Sequence, residues 1–451
     1  MTTTVRITWD AASARRARRQ FLTWPAATGT PVAEVVGAML GAHAQVLSAA
    51  ELSVGMRTDA ATRADVRAAL WDDRSLIKTY GPRGTVHLLP ARELPLFSAA
   101  LTAVPAGPSP FPPDVRLTEE QAGQVVAAIG DALDGRNLTV DELSEEVVAR
   151  TGPWAGDRVM PAFQDLWPRW RQVMHRAGWA GTLCFGPNRG RKATYTRPPR
   201  PDSGVGVGAG AERGAGSGSG TGSGSGTGSG SGTGSGSGTG NSAGVGDGAG
   251  AGNGLDMGSG SGAGEALAAF VHRYLYAYGP ATPQHFARWL AAPPGWATAL
   301  FGELAASGRI ETVDFEGTPA WVAAGDTDVR DVPEGPVVPD GPARGVRLLP
   351  YFDAYVIAGQ PRERLFPGKA YQRALGGGQA GNYPVLLVDG VVAGVWHQRR
   401  KGRRTTVTVE PLVRLTARQR RELDEQVERV GEVLEATPEL VVGEVTVGPH
   451  A

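Results

Sequence analysis

Several residue types and patterns are scarce in this chain of 451 residues. Cys184 is its only cysteine, which excludes an intramolecular disulfide and favours a reducing compartment. The seven histidines show no paired metal-ligand spacing, so no zinc centre or other metal site is expected. No apolar run reaches the roughly 18 residues that a membrane helix needs. Since MTTTVRITWD lacks the basic start and apolar core of a signal peptide, we expect a cytoplasmic protein.

The chain also lacks a net charge, because 45 Lys and Arg residues balance 45 Asp and Glu residues. A nucleic-acid-binding protein usually has a basic excess, since neutralising phosphates releases counterions and supplies most of the non-specific affinity. Basic residues do crowd two segments, a predicted helix and a predicted hairpin: Arg15, Arg16, Arg18 and Arg19, and Arg399, Arg400, Lys401, Arg403 and Arg404. A charge cluster is more often a solvated face than a binding site, so these two alone do not establish DNA binding.

Glycine is abundant, and most of its excess lies in one tract, 201–264, which contains repeats of SGSGTG. Such a segment has little apolar surface to bury and cannot offset its ordering entropy. We therefore expect a flexible linker with a root-mean-square reach of about 40–48 Å. It divides the chain into two parts of similar size.

Each part repeats a local pattern of helices followed by two short strands. The first occurrence has predicted helices at 11–22, 31–42, 48–58 and 63–71 and strands at 75–80 and 85–90. The second has helices at 117–133, 137–150 and 160–177 and strands at 180–185 and 192–196. The third has helices at 265–277, 282–290 and 296–307 and strands at 309–314 and 319–322. Helices closed by a two-stranded hairpin are typical of winged-helix modules.

We therefore predict an α+β fold, mostly helical, with three tandem winged-helix modules and a β-rich C-terminal module. The predicted boundaries are 1–90, 91–200, 265–345 and 346–451, with a final helix at 417–434. Three such modules in one chain can curve around a duplex, so we expect a monomer that binds double-stranded DNA. Helix-turn-helix modules occur most often in regulators, and a non-catalytic DNA-binding regulator remains the alternative.

Five sequence blocks occur in a characteristic order: GAHAQVLSAAELSVGMRT (41–58), RGTVHLLPARELPLF (83–97), AYGPATPQHFARWL (277–290), RLLPYFDAYVIAGQPRERLFP (347–367) and VDGVVAGVWHQRRKG (388–402). With these blocks the chain resembles the winged-helix DNA glycosylases of the AlkZ and YcaQ type over nearly its whole length. The resemblance implies hydrolysis of the N-glycosidic bond of bulky N7- or N3-alkylpurines, extending to interstrand crosslinks and to self-resistance against a genotoxin. It implies no cofactor.

The catalytic signature of that family is Gln-x-Gln or Gln-x-Asp, and the matching triplet here is His43-Ala44-Gln45. The resemblance therefore implies that His43 and Gln45 are the catalytic residues, with His43 in place of the usual glutamine. An alkylated purine is cationic and leaves as a neutral base, so no strong acid is needed. A glutamine oxygen can orient the attacking water, and a neutral histidine can also take its proton. Since residues two apart share one side of an extended backbone, we expect the triplet in an extended segment or bend.

The remaining candidates carry positive charge. We predict that DNA is contacted by Arg57, Arg83 and the hairpin residues Arg399, Arg400, Lys401, Arg403 and Arg404. For Arg57, a phosphate contact and a structural ion pair fit the sequence equally well. Asp353 and Arg362 lie in a motif-rich block, where a buried salt bridge is an equal explanation, and His87 is predicted to be structural. With no lysine near the triplet to form a Schiff base, we expect hydrolysis without strand cleavage.

Overall fold

The computed structural model describes residues 4–107, 109, 111–161, 165–199, 262–327, 345–375 and 378–448. The predicted linker 201–264 lies outside these residues except for its last three positions, where a helix has already begun. The fold is α+β, as predicted, with several small sheets and a five-stranded C-terminal sheet. Among the helices of the described ranges, none has the length and apolar content needed to cross a membrane.

The first repeat (32–90) consists of three helices and a three-stranded sheet, preceded by a short strand and a helix. The elements are β1 (Arg6–Ile7), α1 (Trp9–Arg19), α2 (Val32–Ala38), β2 (Ala42–His43), α3 (Leu47–Gly55), α4 (Arg63–Trp71), β3 (Leu76–Tyr80) and β4 (Val86–Pro90). The strand order is β2-β4-β3. α2 is shorter than the predicted helix 31–42 because Leu40 and Gly41 have φ angles of 56° and 100°, which turn the chain into β2.

The second repeat (119–196) has the same sheet order, β5-β9-β8. The elements from here on are α5 (Leu94–Thr102), which joins the repeats, then α6 (Glu119–Ala132), β5 (Asn137–Thr139), α7 (Val140–Thr151), β6 (Arg158–Pro161), β7 (Leu166–Pro168), α8 (Met174–Trp179), β8 (Cys184–Arg189) and β9 (Lys192–Thr196). The predicted helix 160–177 is wrong, because β6 and β7 pair there and only α8 is α-helical. Pro161 and Pro168 lack an N–H and disfavour helical backbone in the residue before them.

The third repeat (262–323) contains α9 (Gly262–Tyr278), α10 (Pro283–Leu290), α11 (Pro294–Ala306), β10 (Ile310–Phe315) and β11 (Thr318–Ala323). β10 and β11 form an antiparallel hairpin, and a bridge joins Ala281 to Trp321 on its outer edge. On the other edge β1 pairs in parallel with β10, so the N-terminal strand completes a sheet of the third repeat. Its position in the sequence had suggested that it belongs to the first.

The arginines of α1 do not form the exposed basic cluster that their sequence suggested. Arg15 and Arg16 are buried, and Arg15 and Arg19 both form ion pairs with Asp326. Arg16 donates hydrogen bonds to the backbone oxygens of Gly279, Pro280 and Gln360. α1 therefore fastens the third repeat to the C-terminal region.

The C-terminal region (346–442) carries a five-stranded sheet of order β12-β13-β14-β15-β16. Its elements are β12 (Val346–Leu349), α12 (Ala354–Ala358), α13 (Arg362–Leu365), α14 (Lys369–Ala374), β13 (Val385–Val388), β14 (Val391–Lys401), β15 (Arg404–Pro411), α15 (Ala417–Leu434) and β16 (Thr437–Val442). α15 matches its predicted bounds, and Trp396 of β14 lies in the core. That core also contains Leu52 of α3 and Met56, which follows α3, so the region packs directly on the first repeat.

Candidate functional site

The predicted catalytic triplet lies where β2 ends and α3 begins. His43 is the last residue of β2, and α3 starts at Leu47, so the segment between them is extended or bent, as the spacing of the triplet predicted. Ala44 is fully buried, and its N–H donates to the backbone oxygen of Val86 at 2.7 Å. This bond fixes the segment to β4. The side chain of His43 is buried, whereas that of Gln45 is exposed.

His43 faces residues from other parts of the chain. It is paired directly with His87 across the β2–β4 ladder, and the two ring centroids are 5.2 Å apart. Phe352, from the C-terminal region, lies 4.5 Å from His43 by the same measure. The buried Nδ1 of His43 has no hydrogen-bond partner within the described part of the chain. This buried nitrogen is therefore left unsatisfied by that part of the protein.

A narrow cleft lies beside His43, with room for about one water molecule. Residues from three parts of the fold line it, including His43, Arg83, His87, Tyr278, Trp289 and Phe352. The first repeat supplies the two imidazoles and the guanidinium, and the other parts supply the aromatic walls. A cleft with apolar walls and a few polar groups is typical of a binding or catalytic site.

Burial keeps both imidazoles of the cleft uncharged at neutral pH. The pKa of His43 lies well below its usual value, mainly because burial penalises the charged ring and also because His87 and Arg83 are near. Burial also lowers the pKa of His87 to about 4, although its bond to Thr85 opposes the shift. Nδ1 of His87 lies 2.9 Å from the backbone oxygen of Thr85. Because a carbonyl oxygen can only accept, the neutral ring carries its proton on Nδ1. His43 is therefore neutral at neutral pH, and the same burial makes it a weaker base than an exposed histidine.

The turn Gly81–Gly84 presents Arg83 at the mouth of this cleft. A Cβ on Gly81 would lie 2.8 Å from Cγ and Nδ1 of His87, so glycine is needed for the imidazole to fit. Trp179 of the second repeat donates to the backbone oxygen of Gly81 at 3.0 Å and holds the turn from outside. Arg83 has a left-handed backbone, with φ of 62°, and an exposed side chain. Its accessibility suits the predicted DNA contact.

Arg57, predicted as a DNA contact with an ion pair as the equal alternative, belongs to the interior. It is fully buried, and its two terminal nitrogens lie 2.7 and 2.8 Å from the carboxylate oxygens of Asp353. Ser53 donates to the same carboxylate at 2.7 Å. Because its charge is neutralised and inaccessible, Arg57 does not reach phosphate, and the DNA-contact prediction is wrong for this residue. The salt bridge considered for Asp353 exists with Arg57, whereas Arg362 donates to the backbone oxygens of Val356 and Ile357.

The basic hairpin is the opposite case. β14 and β15 pair as far as Lys401 and Arg404, and all five predicted contact residues at its end are exposed: Arg399, Arg400, Lys401, Arg403 and Arg404. Within the described ranges none of their side chains forms a salt bridge, and only the side chain of Arg400 donates hydrogen bonds, to the backbone oxygens of Gly402 and Leu434. Their charges are accessible to a polyanion, and their DNA contact stays a prediction.

Three aromatic residues of the cleft were not predicted from the sequence. Tyr278 and Trp289 lie in one motif block (277–290) and Phe352 in another (347–367), and nothing in the local sequence marks them as functional. All three are far from the triplet along the chain, so only the fold shows that they meet it. Within the described ranges, no group of three or more His, Cys, Asp or Glu side chains is placed to hold a metal ion.

Comparisons with known proteins agree with one another. A family model described as DNA glycosylase AlkZ-like matches residues 36–433. The chain is 29% identical over 400 residues to an interstrand DNA cross-link repair glycosylase of Streptomyces sahachiroi, an alignment that covers 87% of this chain and 88% of that protein. It is also similar to the solved structure of the Streptomyces sahachiroi DNA glycosylase AlkZ, with a TM-score of 0.66, 25% identity, and coverage of 97% of this chain and 100% of the other.

Proposed function

Because this chain belongs to the AlkZ-like DNA glycosylase family, we propose that it is a monofunctional glycosylase acting on bulky N7- or N3-alkylpurines in duplex DNA. Since one relative is named for the repair of interstrand crosslinks, the proposed substrates include crosslinked purines. The observation that carries the proposal is the state of His43. It is buried and neutral, it lines a narrow cleft, and its Nδ1 has no partner within the described residues.

In the proposed reaction, water attacks C1′ of the damaged nucleotide on the face opposite the base. The C1′–N9 bond of an N7-alkylguanine breaks, and its electron pair moves to N9, which cancels the positive charge of the ring. The sugar passes through a cationic, oxocarbenium-like state, so positioned oxygens and dipoles lower the barrier. The amide oxygen of Gln45 orients the water, and Nδ1 of His43 accepts the proton that the water loses. The products are a free neutral base and an abasic site.

The three repeats would hold the duplex as winged-helix modules do, with one monomer around one site. In this proposal Arg83 and the exposed hairpin cations bind backbone phosphates, while Arg57 has no part in the contact. Phosphate contacts of this kind fix position but carry no sequence information. The damaged base is then selected by its weakened glycosidic bond.

The proposal is tested by incubating the purified protein with duplex DNA that carries one N7-alkylguanine, and separately with a crosslinked duplex. We expect release of the free alkylated base in the presence of a metal chelator, and strand breaks only after alkali treatment of the abasic site. An undamaged duplex is the control. Tight duplex binding without base release from a broad panel of adducts would favour the regulator instead.

The pH dependence of the rate tests the role of His43. The catalytic form is the neutral ring, and burial moves its pKa well below the usual value of 6.5. Since protonation begins only as the pH approaches that lowered pKa, base release should stay constant from about pH 8 to about pH 6 and fall at lower pH. A loss of activity centred on about pH 6.5 would show an ordinary, exposed histidine and would contradict the proposed site.

A further inference from the structure

Three arginines from three parts of the fold lie at or near the cleft beside His43, and one of them, Arg83 of the first repeat, is part of its lining. Arg288 of α10 precedes Trp289, which forms part of the wall. Arg362 of α13 donates to the backbone oxygen of Ile357, another residue of the lining. The third repeat and the C-terminal region thus each add a cation to the one that the sequence predicted.

These three guanidinium groups have no acidic partner in the part of the chain that the structure describes. Neighbouring arginines differ in this respect, since Arg57 is paired with Asp353 and Arg19 with Asp326. The pKa of Arg362 is lowered to about 10, first by burial and then by Arg288 and Arg83, with no carboxylate acting on it. Positive charges that lie close together and have no counter-ion within the fold are suited to bind an anion from solution.

The cluster is held in place by neutral groups of the protein. Arg362 is half-buried and donates to two backbone oxygens, which fixes its guanidinium without neutralising it. Nη1 of Arg288 lies 3.4 Å from the side-chain oxygen of Gln360, and the rest of that side chain is exposed. Arg83 is exposed at the end of a turn that Trp179 holds from the second repeat. The cations are positioned by the fold before any ligand arrives, and they remain accessible at its surface.

We propose that Arg83, Arg288 and Arg362 form a phosphate-binding site for the DNA backbone next to the damaged nucleotide. This inference rests on the proposed function, because it assigns the ligand to the same cleft. A guanidinium binds phosphate oxygens through paired N–H donors, which fixes orientation as well as position. A phosphate held here places the sugar attached to it beside His43 and Gln45. The site therefore aligns C1′ with the attacking water, in contrast to the hairpin cations, which lie on a separate sheet.

The salt dependence of binding to an undamaged duplex tests the site without any need for catalysis. The variants are Arg83→Gln and Arg288→Gln, singly and together, and the control is Arg420→Gln, which removes an exposed arginine from α15. Arg362 is left intact because its backbone bonds support the fold. Each phosphate that a variant no longer neutralises should reduce the slope of log K against log salt by about 0.9, and the control should not change it. An unchanged slope in the double variant overturns the proposal.

A second arm locates the phosphate. Duplexes carry an abasic-site analogue and one uncharged methylphosphonate at successive positions on either side of it. In the wild-type protein, a methylphosphonate at one flanking position should weaken binding at least about fivefold. In the Arg83→Gln, Arg288→Gln double variant, a methylphosphonate at that position should weaken binding no further, since the arginines that would bind the phosphate are already removed. If the wild type releases no base from any adduct while these effects appear, the catalytic proposal fails and the phosphate site stands. If base is released but both proteins respond equally to every methylphosphonate, the phosphate site alone fails.

Discussion

The junction between the first extended segment (a short strand or, in the third repeat, the bridge residue Ala281) and the following helix differs among the three repeats. In the second repeat Thr139 caps α7, and its side chain and that of Glu142 each bind the other residue's backbone N–H. In the third, Thr282 and His285 cap α10 in the same way. In the first, the equivalent position is Val46, which forms no side-chain cap and is 45% exposed. Of the three junctions, only the first lacks the side-chain N-cap that stabilises the other two.

Contacts from the C-terminal region stabilise the first junction instead. Asp353 binds both Arg57 and Ser53 of the first repeat, and Phe352 beside it packs on His43. Gln45 next to them stays exposed. The comparison shows that a segment can keep its side chains accessible for chemistry when its position is set by a neighbouring part of the fold. Its geometry then depends on residues far away in the chain.

The largest effect is expected from removing that outside support. Asp353→Ala should destabilise the protein by about 3–5 kcal/mol, because it leaves the buried guanidinium of Arg57 unpaired. Urea unfolding followed by circular dichroism measures the change. The matched control is Asp141→Ala, which breaks an exposed ion pair with Lys192 and should change little. Equal stabilities of the two variants would show that the ion pair does not hold the junction.

The next effect concerns the two candidate catalytic side chains at the first junction. Gln45→Ala should slow base release at least about tenfold, or about 1.4 kcal/mol in barrier, while binding to undamaged DNA barely changes. His43→Gln should keep measurable activity, because a glutamine oxygen can also hold the water. Single-turnover release of an N7-alkylguanine gives both rates. Wild-type rates in Gln45→Ala and His43→Ala would make the first junction structural, like the other two.

The same contrast explains which features could be predicted from the sequence. The capping box at Thr139 and Glu142 can be recognised from the sequence alone, because it depends on residues three apart. The surroundings of His43 cannot, since Phe352 reaches it only through tertiary packing. Both arginine clusters stand out in the sequence, but α1 packs against the third repeat and pairs with Asp326 just after it, whereas the hairpin ends in solvent. A feature that depends on residues a few positions apart, such as a capping box, can be read from the sequence. A contact between distant residues depends on the whole fold.

A smaller effect is expected at a capped junction. Thr139→Val keeps the shape of the side chain but removes the oxygen that accepts from the backbone N–H of Glu142. We expect a destabilisation of about 1 kcal/mol, typical of a missing N-cap. Thermal or urea unfolding measures it. Base release should be unchanged when measured well below the melting temperature, since the second repeat adds no side chain to the cleft's catalytic pair. If base release by Thr139→Val falls markedly while the protein remains fully folded, this junction has a catalytic role.

The smallest effect is expected from the reciprocal substitution. Val46→Thr introduces into the first junction the residue type that caps the other two, at nearly constant volume. Its hydroxyl can accept from a backbone N–H in the first turn of α3, so stability should rise by up to about 1 kcal/mol. The substitution replaces an exposed methyl group. Because that group is not packed in the interior, its removal leaves no cavity. Paired urea titrations of Val46→Thr and Thr139→Val give changes of opposite sign if cap chemistry alone separates the junctions. If Val46→Thr is destabilising instead, the extended backbone at this position cannot support a cap, and the contacts of Phe352 and Asp353 define a geometry that the other two junctions do not share.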